Sequence, residues 1–418
     1  MFSLPITRLP GALCAALLCL PAAGQDLAPG WSVRAFGTGA LTWTDTDQAQ
    51  FARLNQRTGA GTRPRADIDS NAGVQLSVDG GPVWSATVQA LARKGPERHA
   101  GAELSWGYVK ARFDHNWSVR AGRLGLPIYM LSDARNIGYA NTAIRPPREV
   151  YSLAPADHVD GLDLTWKAGL REVALSAQLF GGRNRTRLAD FGGGAHVQLD
   201  GIAGLVLQAE QGPLSLRLGH TRTRATADDL APLNELMMSL RLAGAGYGLP
   251  QLAAQADALQ VRRTPTAFTS AGANYDGERL VLQAELARVR SGGYASSNSA
   301  WYLLGGWRFG NLLPFASLGQ LETDRVAPNL VPAACPPGYP DDCGAALAQL
   351  AAGVAMATPV QEQQTVSLGL RWEMGPSTAF KVQVDRIRPR HGAGLFINTR
   401  PGFAGPVVVG AAALDFVY

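Results

Sequence analysis

The chain has 418 residues, 17% of them charged, with 38 Lys and Arg against 33 Asp and Glu for a formal net charge of +5. No run of ~18 apolar residues follows the first thirty positions, which excludes a bundle of transmembrane helices, and no basic run or motif supports nucleic acid as a partner. The length would suffice for two domains, yet no linker, charge block or shift in composition divides it.

The first thirty residues, MFSLPITRLPGALCAALLCLPAAGQDLAPG, carry one positive charge at Arg8, an apolar stretch from about Gly11 to Leu20, and then small residues. Ala22 and Gly24 occupy the −3 and −1 positions of a cleavage site before Gln25. This reads as a secretory signal peptide over residues 1–24, too short to span a bilayer as a helix. Cys14 and Cys19 follow Leu13 and Leu18, where a lipoprotein signal requires a small residue. Residues 25–418 are then expected to form a single domain.

From Trp31 the chain alternates strand-like runs with two kinds of connection. WSVRAFGTGALTWT opens and a polar stretch runs to about Arg65. AGVQLSV, the tight turn DGGP at Asp79–Pro82 and VWSATVQALAR follow, then the loop KGPERHAG with His99. AELSWGYVKARF, the turn DHN at Asp114–Asn116 and WSVRAGRL lead into a long irregular segment from Pro127 to about His158. GLDLTW, the turn KAGLR and EVALSAQLF come next, and GGRNRTRLADFGGG, with Arg183 and Arg185, reads as an external loop. HVQLDGIAGLVLQAE, the turn QGP and LSLRLGHTRTR precede a loop over roughly 225–264, where Leu236, Met237, Leu240 and Leu242 suggest a helix. AFTSAGANY, DGE, RLVLQAELARV, the loop RSGGYASS, NSAWYLLGGWRF, the turn GN and LLPFASLGQLET lead to a cysteine-bearing loop that ends near Val360. EQQTVSLGLRWEM, GPS, TAFKVQVDRIRP, a loop with Gly392, Pro401 and Gly402, and VGAAALDFVY complete the chain.

That is ~16 strands, with turns of about two to five residues strictly alternating with longer loops. An even strand count with this asymmetry is the pattern of an all-β, transmembrane antiparallel β-barrel with short periplasmic turns and long extracellular loops. Its strands alternate lipid-facing and water-facing residues, so the mean hydropathy of −0.03 suits it. The faces agree: Val366, Leu368, Leu370 and Trp372 oppose Ser367, Gly369, Arg371 and Glu373, and Phe380, Val382 and Val384 oppose Lys381, Gln383 and Asp385. Trp43, Trp84, Trp166, Trp301 and Trp307 lie near strand ends, as interfacial girdles require. One strand resists, because Val109, Ala111 and Phe113 do not share a face with Leu104, Trp106 and Tyr108; a bulge would reconcile them.

At the end, Tyr418, Phe416, Leu414, Ala412 and Gly410 share one face and Asp415, Ala413 and Ala411 the other. A strand running to a terminus needs a partner. Pairing it with the first strand closes the barrel and removes the exposed edge. Cys335 and Cys343, in PAACPPGYPDDCGAAL, read in an exported chain as one local disulfide. Two thiols with no His nearby are a poor metal set, and no cofactor is expected.

The segment AGRLGLPIYMLSDARNIGYANTAIRPPREVYSLAPADHVDGLDLTW, Ala121 to Trp166, resembles the fifth strand, third loop and sixth strand of Gram-negative general porins. Within it, GYANTAIRPPREVY resembles a proteobacterial porin-like group with an RPP-x-EVY run. Phe416 and Tyr418 resemble the C-terminal signature that the barrel assembly machinery reads. The resemblance implies a homotrimer in the outer membrane, bathed in its lipid and lipopolysaccharide, that passes small hydrophilic solutes by diffusion. It also implies that the third loop, at about 127–158, folds into the barrel and sets the constriction.

The physics beside it is consistent. A barrel of ~16 strands is too wide for its own side chains to fill, and a loop of this length is usually functional. The loop carries Asp133, Arg135, Arg145, Arg148, Glu149, Asp157 and Asp160, candidates for the pore constriction, where both signs together make a transverse field. Lys110, Arg112, Arg120 and Arg217 fall on inward faces as candidates for the pore wall. Arg145 and Arg148 could equally pair with nearby acids and pin the loop. All basic residues but Lys94, Lys110, Lys167 and Lys381 are Arg, a good partner for carboxylate and phosphate. The balance leans to a weak anion preference or little selectivity.

Two other classes compete. A barrel enzyme such as a lipase or protease needs a nucleophile, a base and an orienter near one rim. Of six His, His99 and His391 fall in loops and His220 near a strand end, and no G-x-S-x-G run occurs, so no enzyme is expected. A secreted or periplasmic soluble sandwich or propeller that binds a ligand would alternate its faces equally well. Nothing in such a fold requires one set of connections to be short.

Overall fold

The computed structural model describes residues 26–96, 100–189, 195–228, 230–293, 295–339, 342–358 and 360–418. The signal-peptide segment and His99 lie outside the described residues.

A short strand β1 (Asp26–Ala28) pairs with the start of β2 (Trp31–Thr44). The next strands are β3 (Asn71–Asp79), β4 (Trp84–Lys94), β5 (Ala100–Arg112), β6 (Trp117–Gly125), β7 (His158–Leu170), β8 (Val173–Arg187) and β9 (His196–Gln211). There follow β10 (Leu214–Asp228), β11 (Thr264–Asp276), β12 (Leu280–Ser291), β13 (Ser297–Trp307) and β14 (Leu312–Arg325). Last come β15 (Glu362–Gly375), β16 (Thr378–His391) and β17 (Val407–Val417). Among the described residues, the sixteen strands β2–β17 make one antiparallel ring, each paired with its sequence neighbours.

The ring closes where β17 meets β2, in register from Val409↔Thr44 to Val417↔Phe36. Beyond the last pair, Tyr418 N–H donates to the Ala35 carbonyl at 2.7 Å and Ala35 N–H donates to Tyr418 at 2.9 Å. The terminal alternation thus ends in paired backbone, with no open edge at the seam. Asp26, Tyr418 and the short turns share one end of the barrel, here the turn end. The long connections share the other, the loop end.

Period-two patterning sets the faces. On β16, Phe380, Val382 and Val384 point outward and are exposed, whereas Lys381, Gln383 and Asp385 point inward and are buried. Outward Leu and Val continue around the ring, among them Leu41, Val74, Val88, Leu162, Leu179, Leu207, Leu218, Leu286, Leu303 and Leu368. No helix among the described residues is long and apolar enough to cross a membrane. Tryptophans gather toward the turn end, where Trp31 and Trp84 begin their strands, Trp307 ends one, and Trp117 lies 6.5 Å from Trp166. Trp301 instead sits mid-strand, paired with Leu286.

The resistant strand β5 does contain a bulge. Gln89 pairs with Trp106 and Ala90 with Leu104, so Ser105 is the extra residue. One inserted residue flips the parity and puts Leu104 and Val109 on the same outward face.

Two segments read as loop are ordered structure. GGRNRTR continues β8 up to Arg187, so Arg183 and Arg185 belong to the wall. A bilayer core needs only ~9–11 residues of tilted strand. Beyond it the outward face need not be apolar, and the alternation that marks a strand disappears. The cysteine-bearing segment contains a helix, Asp342–Ala357, whose Leu347, Leu350 and Val354 fall on one face at helical spacing. It packs on two helices of the 225–264 segment, Ala231–Gly246 and Pro250–Ala258, through Leu233, Met237, Leu240 and Leu252. Leu242 is exposed, on the far side of its helix. Cys335 and Cys343 are bonded at the foot of this cap, S–S 2.01 Å.

Candidate functional site

The connection between β6 and β7 enters the barrel, and its anchors can be followed residue by residue. Leu126 N–H donates to the Asp157 carbonyl at 3.0 Å and draws the two ends of the loop together. The first stretch then lies on the inner face of β10 to β12. There Arg217 donates to the Pro127 carbonyl (2.9 Å), Ser270 to that of Ile128 (2.7 Å), and Glu285 accepts from Met130 N–H (2.8 Å). Tyr129 stacks on Tyr151 at 4.6 Å and meets Phe268 edge-on, so the underside of the loop is an apolar core inside the ring.

The middle stretch reaches the seam. Lys381, fully buried, donates to the carbonyls of Gly138 (2.7 Å), Asn141 (2.5 Å) and Ala143 (3.2 Å) and pairs with Asp415 at 2.9 Å. Asp415 accepts in turn from Thr38 of β2 at 2.6 Å. Gly138 touches Asp415 and Thr38 so closely that a Cβ there would collide with both. Arg371 donates to the carbonyls of Tyr139 and Asn141, at 2.7 and 2.9 Å.

The return stretch holds the run Arg145-Pro-Pro-Arg-Glu-Val-Tyr151. Arg145, 4% exposed, bridges Asp69 of the β2–β3 connection (2.5 Å) and Asp385 of β16 (2.6 Å). Burial works against its charge, and the two carboxylates outweigh burial and hold it protonated. Glu149, 2% exposed, accepts from Gln363 (2.5 Å) and Thr365. Tyr151 donates to Glu285 at 2.8 Å. Arg148 donates to the Leu395 carbonyl at 2.6 Å, and both it and Arg145 lie 4.4 Å from the ring of Phe51.

The other candidates are distributed as follows. Asp133 is exposed, and Arg135 pairs with Asp157 at 3.1 Å. Asp157 also binds Arg93 (2.7 Å) and His158 (2.8 Å). Burial pulls its carboxyl up, but the His158 hydrogen bond and the charges of Arg135 and Arg93 outweigh that and hold it far below the usual carboxylate range. Asp160 pairs with Arg123 across β6 and β7 at 2.7 Å. On the wall, Arg120 pairs with Asp163 at 2.5 Å and lies over the Tyr108 ring, and Lys110, half-buried, is directly opposite it on β5. Arg112 sits at the turn end, 3.5 Å from Asp79, and Arg217 belongs to the loop's anchorage.

Sequence reasoning did not single out Asp69, Asp385, Lys381, Asp415 and Glu285 as the loop's receivers. Lys381, Asp385 and Asp415 were readable as inward-facing, and buried inward charges imply a partner. Which partner was not readable.

At the loop end, between the neck of the folded-in loop and the tops of β4, β5, β6 and β8, lies a cavity of about 310 Å³. Among the described residues its lining carries nine Arg and Lys side chains, including Arg53, Arg93, Arg135, Arg148 and Arg185, against two carboxylates, Glu103 and Asp157. Burial and then neighbouring like charge push the guanidinium of Arg53 down to about 10. Burial pushes Arg148 down to about 10 as well. Among the described residues no cluster of three or more His, Cys, Asp or Glu could hold a metal ion.

No protein-family model and no curated protein matches the sequence. Solved structures do match in shape. OmpF of Salmonella typhi, in complex with daunomycin, superposes with a TM-score of 0.54 at 11% identity, covering 93% of this chain and 97% of that one. The outer-membrane channel DcaP of Acinetobacter baumannii gives 0.51 at 12%, over 94% and 100%. The fold is porin-like. An anion-selective porin from Comamonas acidovorans gives 0.50 at 10% identity, over 93% and 100%. At such identities the likeness concerns the porin-like barrel and carries no residue roles.

Proposed function

We propose that this chain is an outer-membrane porin, a water-filled channel through which small hydrophilic solutes diffuse, with at most a weak preference for anions. One observation carries the reading. A ring that is apolar outside holds a folded loop against one part of its inner wall, while β3 to β9 keep polar inward side chains such as Gln75, Gln89, Lys110, Arg120 and Gln178. An outward apolar band suits lipid, and a polar interior suits water.

In this reading the charged residues divide by role. Arg145 and Glu149 fix the loop, which gives the RPP-x-EVY run a physical sense as an anchor. Asp133, Arg135 and Asp157 on the loop, with Lys110 and Arg120 on the wall and Asp160 beside them on β7, supply the transverse field where water screens least. Phe416 and Tyr418 serve as the assembly signal, residues 1–24 as the export signal, and three copies assemble in the membrane.

The test is a planar bilayer experiment with the purified, heat-modifiable protein. Stepwise current increments are expected, with a reversal potential in a salt gradient shifted at most slightly to the chloride side. A folded barrel that gives no current steps overturns the reading.

A further inference from the structure

We propose that an outward trough along β11 seats one membrane lipid whose head is a phosphate monoester, a bound molecule as distinct from the lipid that surrounds any barrel. The inference rests on the channel reading only for which face meets lipid. Its chemistry comes from the register of β9 to β12.

Small residues make the floor. On its outward face β11 presents Ala267, Thr269, Ala271 and Ala273 in succession. Larger side chains flank them on β10 and β12. From the loop end downward, Ala267 lies between Arg222 and Arg290, Thr269 between His220 and Arg288, and Ala271 between Leu218 and Leu286. Ala273 lies between Leu216 and Ala284. These rows span about 20 Å of strand. The lower rows belong to an apolar concavity of about 880 Å³ that reaches Leu207 and Trp301. The top row belongs to a second one, of about 540 Å³, lined by Arg222, Arg224 and Arg290. Apolar below and basic above is the order of a lipid with an anionic head.

The top row is a cradle. Arg222 and Arg290 stand on either side of Ala267, about 10 Å apart at the backbone, and both are exposed on the wall of the same concavity. Nε of Arg222 donates to Nε2 of His220 at 3.2 Å, which leaves the imidazole Nδ1–H to Thr269 at 2.8 Å. The Arg222 side chain is thereby steadied from below by a neutral partner, with both Nη groups free. Among the described residues Arg222, Arg224 and Arg290 form no ion pair. Asp200, opposite Arg224, accepts from Gln198 instead. One row below, Arg288 is paired with Asp324 at 2.8 Å, so the fold supplies a carboxylate there and none to the cradle.

The approach is open. Arg222 faces Ala203 and Arg224 faces Asp200, so Gly201 and Ile202 share one place in β9 as a bulge. Gly201 takes φ 58°, and nothing lies within 4 Å of where its Cβ would stand. No side chain therefore closes that flank of the cradle. A phosphate monoester brings nearly two negative charges and three unesterified oxygens to the guanidinium donors, whereas a diester brings one charge. Unpaired arginines facing one another across a small residue favour the monoester, and the trough below gives its acyl chain a bed that free phosphate would not use.

Native mass spectrometry of the purified barrel in detergent, with phosphatidic acid, phosphatidylglycerol and phosphatidylcholine of matched acyl chains as probes, reads bound lipid and copy number together. One phosphatidic acid per chain is expected, retained at least fivefold better than either diester lipid. Arg222→Gln and Arg290→Gln should each cut that retention fivefold or more. Ala271→Leu, which fills the trough and leaves its charge alone, should do the same. Arg386→Gln, an outward arginine of β16 between Val366 and Val408, should retain lipid like wild type. Equal retention of the three lipids means surrounding lipid only and overturns the site, as does unchanged retention in the cradle or trough variants. Displacement by excess inorganic phosphate would mean an anion site without a lipid seat, and a change of copy number in Ala271→Leu would give the trough to a second copy; either overturns the proposal. All these positions face outward, so heat-modifiability and bilayer current steps should persist in every variant. Current steps with no lipid preference reject this inference and leave the channel standing, whereas the lipid preference without current steps does the reverse.

Discussion

The inner wall has two halves that use charge differently. Under the loop, Lys381 and Asp415 are fully enclosed and Arg145, Asp69 and Asp385 nearly so, each in contact with an opposite charge. On the open half, Arg123 and Asp160 each keep about a third or more of their side chains in contact with solvent while paired, and Arg120 keeps about a quarter although its partner Asp163 is enclosed. Covered charges are structure, because an enclosed ion without its partner costs several kcal/mol. In the channel reading wet charges are field, because water weakens their pairing and their potential reaches the lumen. The same residue types do both jobs, and only coverage separates them.

The most severe way to break this comparison is to remove the seam that both halves depend on. Deleting Phe416 to Tyr418 takes away the last backbone pairs with Ala35 and the outward aromatic face, and should abolish heat-modifiable barrel in the outer membrane. Normal barrel levels after truncation would contradict the closing role of this strand.

Lys381→Met should come next. It leaves Asp415 enclosed without its cation and the loop carbonyls without their donor, a loss of about 3–5 kcal/mol for a broken buried pair. Unfolding in denaturant should show it, and replacing Asp415 with Leu in the same chain should recover much of the loss. If Lys381→Met is neutral, the covered half is not held by charge.

Lys110→Glu sharpens the other side. Stability should change by no more than about 0.5 kcal/mol, as for a solvated position, while the reversal potential in a salt gradient moves toward cations. A change in stability with no change in selectivity would place Lys110 with the covered group.

The smallest effect is expected on acidification. Asp157 has a folded pKa depressed below its unfolded value, so its contribution is present in full above the unfolded range, about pH 4. It is lost only as pH falls toward the lower folded value. Loop protection in hydrogen exchange should therefore be flat from pH 8 to 5 as far as this carboxylate decides it. A loss of protection between pH 8 and 5 would mean that the neck is not held by the Asp157 carboxylate and its arginines.

Much of the fold was legible because a strand's faces are a local property. The alternation of β16, the broken parity of β5 and the terminal strand each follow from residues within a few positions of one another, although the position of the bulge at Ser105 came only from the pairing. The extension of β8 was hidden because a strand beyond the bilayer has no apolar face to show. The helix at Asp342–Ala357 was readable at Leu347, Leu350 and Val354, but the neighbouring Pro, Gly and Cys drew the segment into a loop. The site was less legible. Arg145 meets carboxylates 76 and 240 positions away, so nothing near it in the chain says whether it anchors or lines.

Gly138 touches both strands of the seam, the last at Asp415 and the first at Thr38. That contact implies a calendar for biogenesis. The loop is synthesised when less than half the chain exists, yet its berth is built from the two strands that join last. We predict that the lumen narrows only after closure, so a barrel stalled one strand short should expose Gly138 to proteases acting from within. Equal protection of Gly138 before and after closure would show that the loop seats early on β10 to β12 alone.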